Sequence, residues 1–121
     1  MAFVLVVDDD GALRGAVCRI LRGAGHTADE AVDGGHALKL IELSLPDIIV
    51  TDMLMPDRDG VELIRSVKQR WPDVRVLAIS GRGAFADFDI LKLATMVGAD
   101  ATLPKPLSGD DLLQAVAGLA S

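Results

Sequence analysis

The chain alternates between short apolar runs and longer stretches in which apolar residues recur at helical spacing. Residues 3–7, Phe-Val-Leu-Val-Val, are uninterrupted apolar, the pattern of a strand buried on both faces. Residues 12–22 put Leu13, Ala16, Val17, Ile20 and Leu21 on one helical face, and Gly23 and Gly25 close that helix. Residues 27–32 carry a weaker pattern that suits an edge strand. A second helix over 35–43 turns Ala37, Leu38, Leu40 and Ile41 inward, and 47–51, centred on Ile-Ile-Val, is a buried strand. Residues 60–71 are helical through Val61, Leu63, Ile64 and Val67, with Pro72 just past the end. A buried strand over 74–79, a helix over 86–97, a short strand over 101–103 and a helix over 110–119 complete the chain, with Ser108 as N-cap of the last helix.

Five strand–helix units in succession predict an α/β fold. It is a doubly wound, five-stranded parallel sheet with right-handed crossovers and helices on both faces. No linker, repeat or low-complexity stretch interrupts the pattern, so residues 1–121 are expected to form a single domain without an output domain, long enough to bury a core.

Composition narrows the function classes. Half the residues are hydrophobic, which excludes a disordered chain, and a net charge of −6 without a Lys/Arg cluster argues against direct nucleic-acid binding. Cys18 is the only cysteine, so no internal disulfide forms; it reads as a small core residue and fits a reducing cytoplasm. No basic segment precedes the first apolar run, and no apolar stretch has the length to span a bilayer, so neither export nor a membrane is expected. His26 and His36 read as surface residues without a second ligand at metal-binding spacing. Trp71 is expected to cover an edge of the core, and Met53 and Met55 to pack beneath the loop that follows the third strand.

The polar residues that carry chemistry all stand at strand ends. Asp8, Asp9 and Asp10 follow the first strand, Asp52 ends the third, Ser80 follows the fourth, and Lys105 follows the fifth between Pro104 and Pro106. An open parallel sheet binds ligands outside the carboxyl ends of its strands, where strand order reverses. With the order 2-1-3-4-5, strands one and three flank that point and Asp8, Asp9 and Asp52 converge there. Carboxylates crowded against an apolar core are costly unless a cation offsets them, and the oxygen-only donor set suits Mg²⁺. Asp10 is expected to point away or to cap the first helix. Around such a cation Asp52 is a candidate nucleophile toward phosphorus, with Lys105 and Ser80 holding phosphoryl oxygens. "DRDG" at residues 57–60 lacks the later ligands of a calcium loop and reads as a turn and helix start.

The segments "VVDDD", "IIVTDMLMPDRDG", "LAISG" and "LPKPL" resemble, in order and spacing, those of the receiver domain of two-component response regulators, over the whole chain. The resemblance implies a flavodoxin-like receiver fold and a phosphoacceptor signalling domain rather than an enzyme, with self-catalysed phosphoryl transfer and dephosphorylation only. It implies Asp52 as the acceptor of a phosphoryl group from a sensor histidine kinase or a histidine phosphotransfer protein. Asp8 and Asp9 would be the acidic pair, with Asp9 the more direct Mg²⁺ ligand, and the Leu54 backbone carbonyl a further ligand beside Asp52. Ser80 would be the switch hydroxyl, Lys105 the phosphate-binding lysine, and Lys105–Pro106 a cis peptide. The family's usual downstream surface is the face of the fourth helix, fifth strand and fifth helix.

The chain departs from that pattern where the family usually carries an aromatic, three residues before the lysine. Here the residue is Thr102, Leu107 replaces a usual phenylalanine, and the span from Ser80 to Lys105 is longer than usual. Residues 81–85, which carry Gly81 and Gly83 just after Ser80, are therefore expected to carry the conformational response. Two rival readings remain. "DDDGAL" also resembles the signature of haloacid-dehalogenase-type phosphatases, with Asp8 as nucleophile and Asp10 as general acid, although Ala12 stands where that signature has threonine. The other is a receiver-fold interaction domain that is never phosphorylated.

Overall fold

A computed structural model describes the backbone of residues 1–53, 59–80 and 84–120, and the side chains over the same ranges except 59 and 84–89. Five strands and five helices alternate: β1 (Phe3–Val7), α1 (Gly11–Gly23), β2 (Thr27–Ala31), α2 (Gly34–Leu43), β3 (Ile48–Asp52), α3 (Asp59–Arg70), β4 (Arg75–Ser80), α4 (Ala84–Val97), β5 (Ala101–Pro104) and α5 (Gly109–Ala120). The strands form one parallel sheet in the order β2-β1-β3-β4-β5, the doubly wound arrangement anticipated above.

The period-two alternation of the strands sorts the interior into two layers. Leu5, Val7, Ile49, Val76 and Ala78 face α2, α3 and α4, meeting Ala37, Ile41, Leu63, Ile64, Val67 and Ala94. Val4, Val6, Ile48, Val50, Leu77 and Ile79 face the other way, onto Val17, Cys18 and Leu21 of α1 and Leu112 and Val116 of α5. β3 is buried along its whole length because it is central and covered on both sides. Cys18 lies in the second layer as a buried free thiol.

The ends of elements differ from the periodicity by a residue or two. Val32 falls outside the edge strand: it is exposed, and its N–H donates to Nδ1 of His36 on α2 at 3.1 Å. His26 does similar work at the other end of β2, its Nδ1 accepting from the Ala2 N–H at 3.2 Å. β3 begins after Asp47, whose carboxylate accepts from the Phe3 N–H at 2.8 Å, and it retains Asp52 as its last paired residue. α4 begins at Ala84, earlier than the apolar pattern shows. Ser108 caps α5 as expected, its Oγ accepting from the Asp111 N–H at 3.0 Å. Trp71 follows α3, packs partly buried against the first layer, and carries the Arg70 guanidinium 4.3 Å above its ring.

Candidate functional site

The carboxyl edge of the sheet gathers the predicted residues. At the end of β1 the Asp8 N–H donates to the Ala31 carbonyl at 3.2 Å, while Asp8 Oδ1 accepts from the Asp10 N–H at 2.9 Å. This side-chain turn passes the chain directly into α1. Asp10 is the N-cap, its Oδ1 accepting from Ala12 and Leu13. Asp10 thus caps α1, as expected from its place after the first strand. Asp8 is 1% exposed, whereas its neighbour Asp9 is open to solvent.

Asp52 arrives from the central strand, 4% exposed and paired in register with Ile79 of β4. Its position is held from above by the start of α3. A Cβ on Gly60 would stand 2.8 Å from the Asp52 carbonyl oxygen and 2.9 Å from Met53 Cα, so only glycine lets that helix press against the strand end. Met53 is buried in the first core layer, and the loop it was expected to underlie falls outside the described residues.

Ser80 ends β4 fully buried, and its Oγ has no hydrogen-bond partner among the described residues. β5 then ends at Pro104, the Lys105 N–H donates to the Ser80 carbonyl at 2.8 Å, and the Lys105–Pro106 peptide is cis. The Lys105 side chain turns back across the edge. Its Nζ donates to Asp52 Oδ2 at 3.1 Å and stands 3.9 Å from Asp8 Oδ2.

Asp8, Asp9 and Asp52 each offer an oxygen, and these lie within 4.8 Å of one another. Burial pushes the Asp8 carboxyl up from 3.8 to about 6; the Asp52 and Asp9 charges add to this, while the Asp10 N–H and Lys105 oppose it. Asp8 Oδ2 is buried without a hydrogen bond among the described residues. An orphaned carboxylate oxygen beside two further acids, with one ammonium to offset them, is the donor set of a hard divalent cation. The residues fit Mg²⁺.

The description of the response regulator receiver domain family matches residues 4–117. The chain belongs to that family. Response regulator MprA of Mycobacterium ulcerans is 37% identical over 111 residues, covering 91% of this chain but 46% of MprA, so the chain spans about half the length of such relatives. A putative response regulator from Chloroflexus aurantiacus superposes with a TM-score of 0.90 at 30% identity, covering 98% of this chain and 97% of that one. A CheY-like receiver domain protein from Methanospirillum hungatei superposes at 0.87 with 26% identity, over 98% and 92% of the two chains.

Within this receiver domain Asp8, Asp9, Asp52 and Lys105 stand together, and Ser80 ends the neighbouring strand with its carbonyl bound to the Lys105 N–H. Leu54, Met55 and residues 81–83 lie outside the described residues, as do the side chains of Phe85 and Phe88. Thr102 is half-buried on β5, paired with Ala78, and Leu107 packs on the second core layer. The periodicity missed Arg14 and Gly60. Gly60 had a local signal, a glycine at a helix start where glycine is unfavourable. Arg14 had none: it touches the Asp8 carbonyl directly, but the partner that holds it there, Glu30, lies sixteen residues further on in β2. Among the described residues no helix is long and apolar enough to cross a membrane.

Proposed function

We propose that this receiver domain accepts a phosphoryl group on Asp52 in the presence of Mg²⁺. The donor is a phosphohistidine of a sensor histidine kinase or a histidine phosphotransfer protein. The observation that carries the reading is the placement of Asp52: its carboxylate is 3.1 Å from the Lys105 ammonium and clustered with Asp8 and Asp9. Asp8, Asp9 and Asp52, with the Leu54 carbonyl by family resemblance, would hold the ion, which when bound offsets the charge of the phosphoryl oxygens.

An Asp52 carboxylate oxygen forms the bond to phosphorus while the phosphorus–nitrogen bond of the donor breaks, and the imidazole leaves with that electron pair. Lys105, already directed at Asp52, donates to a phosphoryl oxygen and keeps the acceptor oriented. Ser80 supplies a second donor. Its hydroxyl has no partner among the described residues, and acceptor oxygens next to β3 would give it one. The chain thus brings its own catalytic groups to its own modification. Output passes to a downstream protein through α4, β5 and α5, where Leu93 and Met96 are exposed on α4.

Incubation with acetyl phosphate and Mg²⁺, followed by intact-mass analysis and peptide-level location of the label, tests the assignment. The unsubstituted chain should gain one phosphoryl group and Asp52→Asn none. Undiminished labelling of Asp52→Asn would refute it, and label on Asp8 would restore the phosphatase-type reading.

A further inference from the structure

Arg14 lies in the first turns of α1, only 16% of its side chain is exposed, and it makes two directed contacts. Its Nη1 donates to the Asp8 carbonyl oxygen at 2.6 Å, and its Nε donates to Glu30 Oε1 on β2 at 2.9 Å. Asp8 is therefore tied at three points. Its N–H is bound to Ala31, its Oδ1 to the Asp10 N–H and its carbonyl to Arg14, which leaves Oδ2 as the carboxylate oxygen without a hydrogen bond. The carbonyl that Arg14 grips is half of the peptide leading into Asp9, so the guanidinium sets the plane from which the exposed Asp9 carboxylate departs.

We infer that Arg14, anchored by Glu30, is a positioning residue for the cation site: it locks the Asp8–Asp9 peptide so that the two carboxylates meet Asp52 at coordinating distance. The inference rests on the Mg²⁺ reading above. A planar guanidinium can hold a carbonyl and a carboxylate at fixed angles at once, which a point charge cannot. The edge strand β2 thereby acquires a part in the site although it contributes no ligand.

Charge and geometry predict opposite signs here. Arg14 is a cation near an acidic cluster, so by charge alone its removal should tighten Mg²⁺ binding. If its part is positioning, removal should weaken binding, and loss of groups that orient metal ligands commonly costs 10–100-fold. Calorimetric Mg²⁺ titrations of the full chain decide between them. Arg14→Ala should weaken binding about tenfold or more, and Glu30→Ala should lose part of the same affinity. Glu30→Gln, which keeps the Oε1 acceptor, should stay close to the unsubstituted chain. The Arg14→Ala/Glu30→Ala double variant should be no worse than Arg14→Ala, because the two side chains act as a unit. Without metal, amide exchange over residues 9–13 should rise in Arg14→Ala. Equal or tighter Mg²⁺ binding by Arg14→Ala overturns the inference. Should that variant fail to fold, indistinguishable binding by Glu30→Ala and Glu30→Gln overturns it instead. If the unsubstituted chain binds no Mg²⁺, this inference and the proposed function fall together; if it binds and the variants bind alike, only this inference falls.

Discussion

Asp8→Asn replaces a buried, ionised acid by a neutral isostere, and without metal it should stabilise the protein. The Asp8 carboxyl is raised by burial from 3.8 to about 6. The folded state therefore holds the Asp8 proton more tightly than the unfolded chain does. The stabilisation this gives is complete below pH ~3.8 and is lost as pH rises toward ~6. At ~1.36 kcal/mol per pH unit the ionised side chain costs the fold about 3 kcal/mol at neutral pH. The Asn side chain can still accept from the Asp10 N–H. Its amide nitrogen inherits a position where Oδ2 had no hydrogen bond, so the gain should reach about 1–3 kcal/mol, or roughly 3–10 °C in melting temperature for a domain of this size. Thermal and urea melts with a chelator at about pH 7.5 and about pH 4.5 provide the assay, and the advantage of Asp8→Asn should shrink to about a third at the lower pH. Adding millimolar Mg²⁺ at neutral pH should raise the melting temperature of the unsubstituted chain and raise that of Asp8→Asn less, since Asp9 and Asp52 remain. A variant no more stable than its parent without metal, or an advantage that does not change with pH, would show that Asp8 is not the strained acid described here.

Gly60→Ala should destabilise the fold by about 1–3 kcal/mol and slow Asp52 labelling by acetyl phosphate, because the new methyl meets backbone atoms of Asp52 and Met53 that cannot swing aside; unchanged melting and labelling would refute the close approach of α3 to β3. Beryllofluoride with Mg²⁺, as a phosphoryl mimic, should change amide exchange most from Ser80 into the start of α4 and little at Thr102, which is too small to carry a buried rearrangement outward; the reverse pattern would place the switch on β5.

The apolar runs and helical spacings carried the succession of ten elements, because burial and the periods of helix and strand are local properties of the chain. Asp10 as a cap, Ser108 as a cap, and Cys18 as core were legible for the same reason, since each depends on residues a few positions away or on apolarity alone. Strand ends as the home of Asp8, Asp9, Asp52, Ser80 and Lys105 followed from those runs together with the rule for parallel sheets. What the pattern could not contain was any relation across the sheet. Lys105 meets Asp52 across 53 positions, and that 3.1 Å contact exists only once β3, β4 and β5 lie side by side. The burial of Asp8 beside an exposed Asp9, two identical residues in sequence, was decided by the place of Asp8 directly after β1, where its N–H is still bound to Ala31 of β2. The bond from Arg14 to the Asp8 carbonyl, and the anchoring of Arg14 by Glu30, depend on the packing of α1 against the edge strand, as the pressure of Gly60 on Asp52 depends on the packing of α3 against β3. Periodicity records which face of an element is buried; what that face meets, and at what distance, is set by the order of the strands and the crossovers between them.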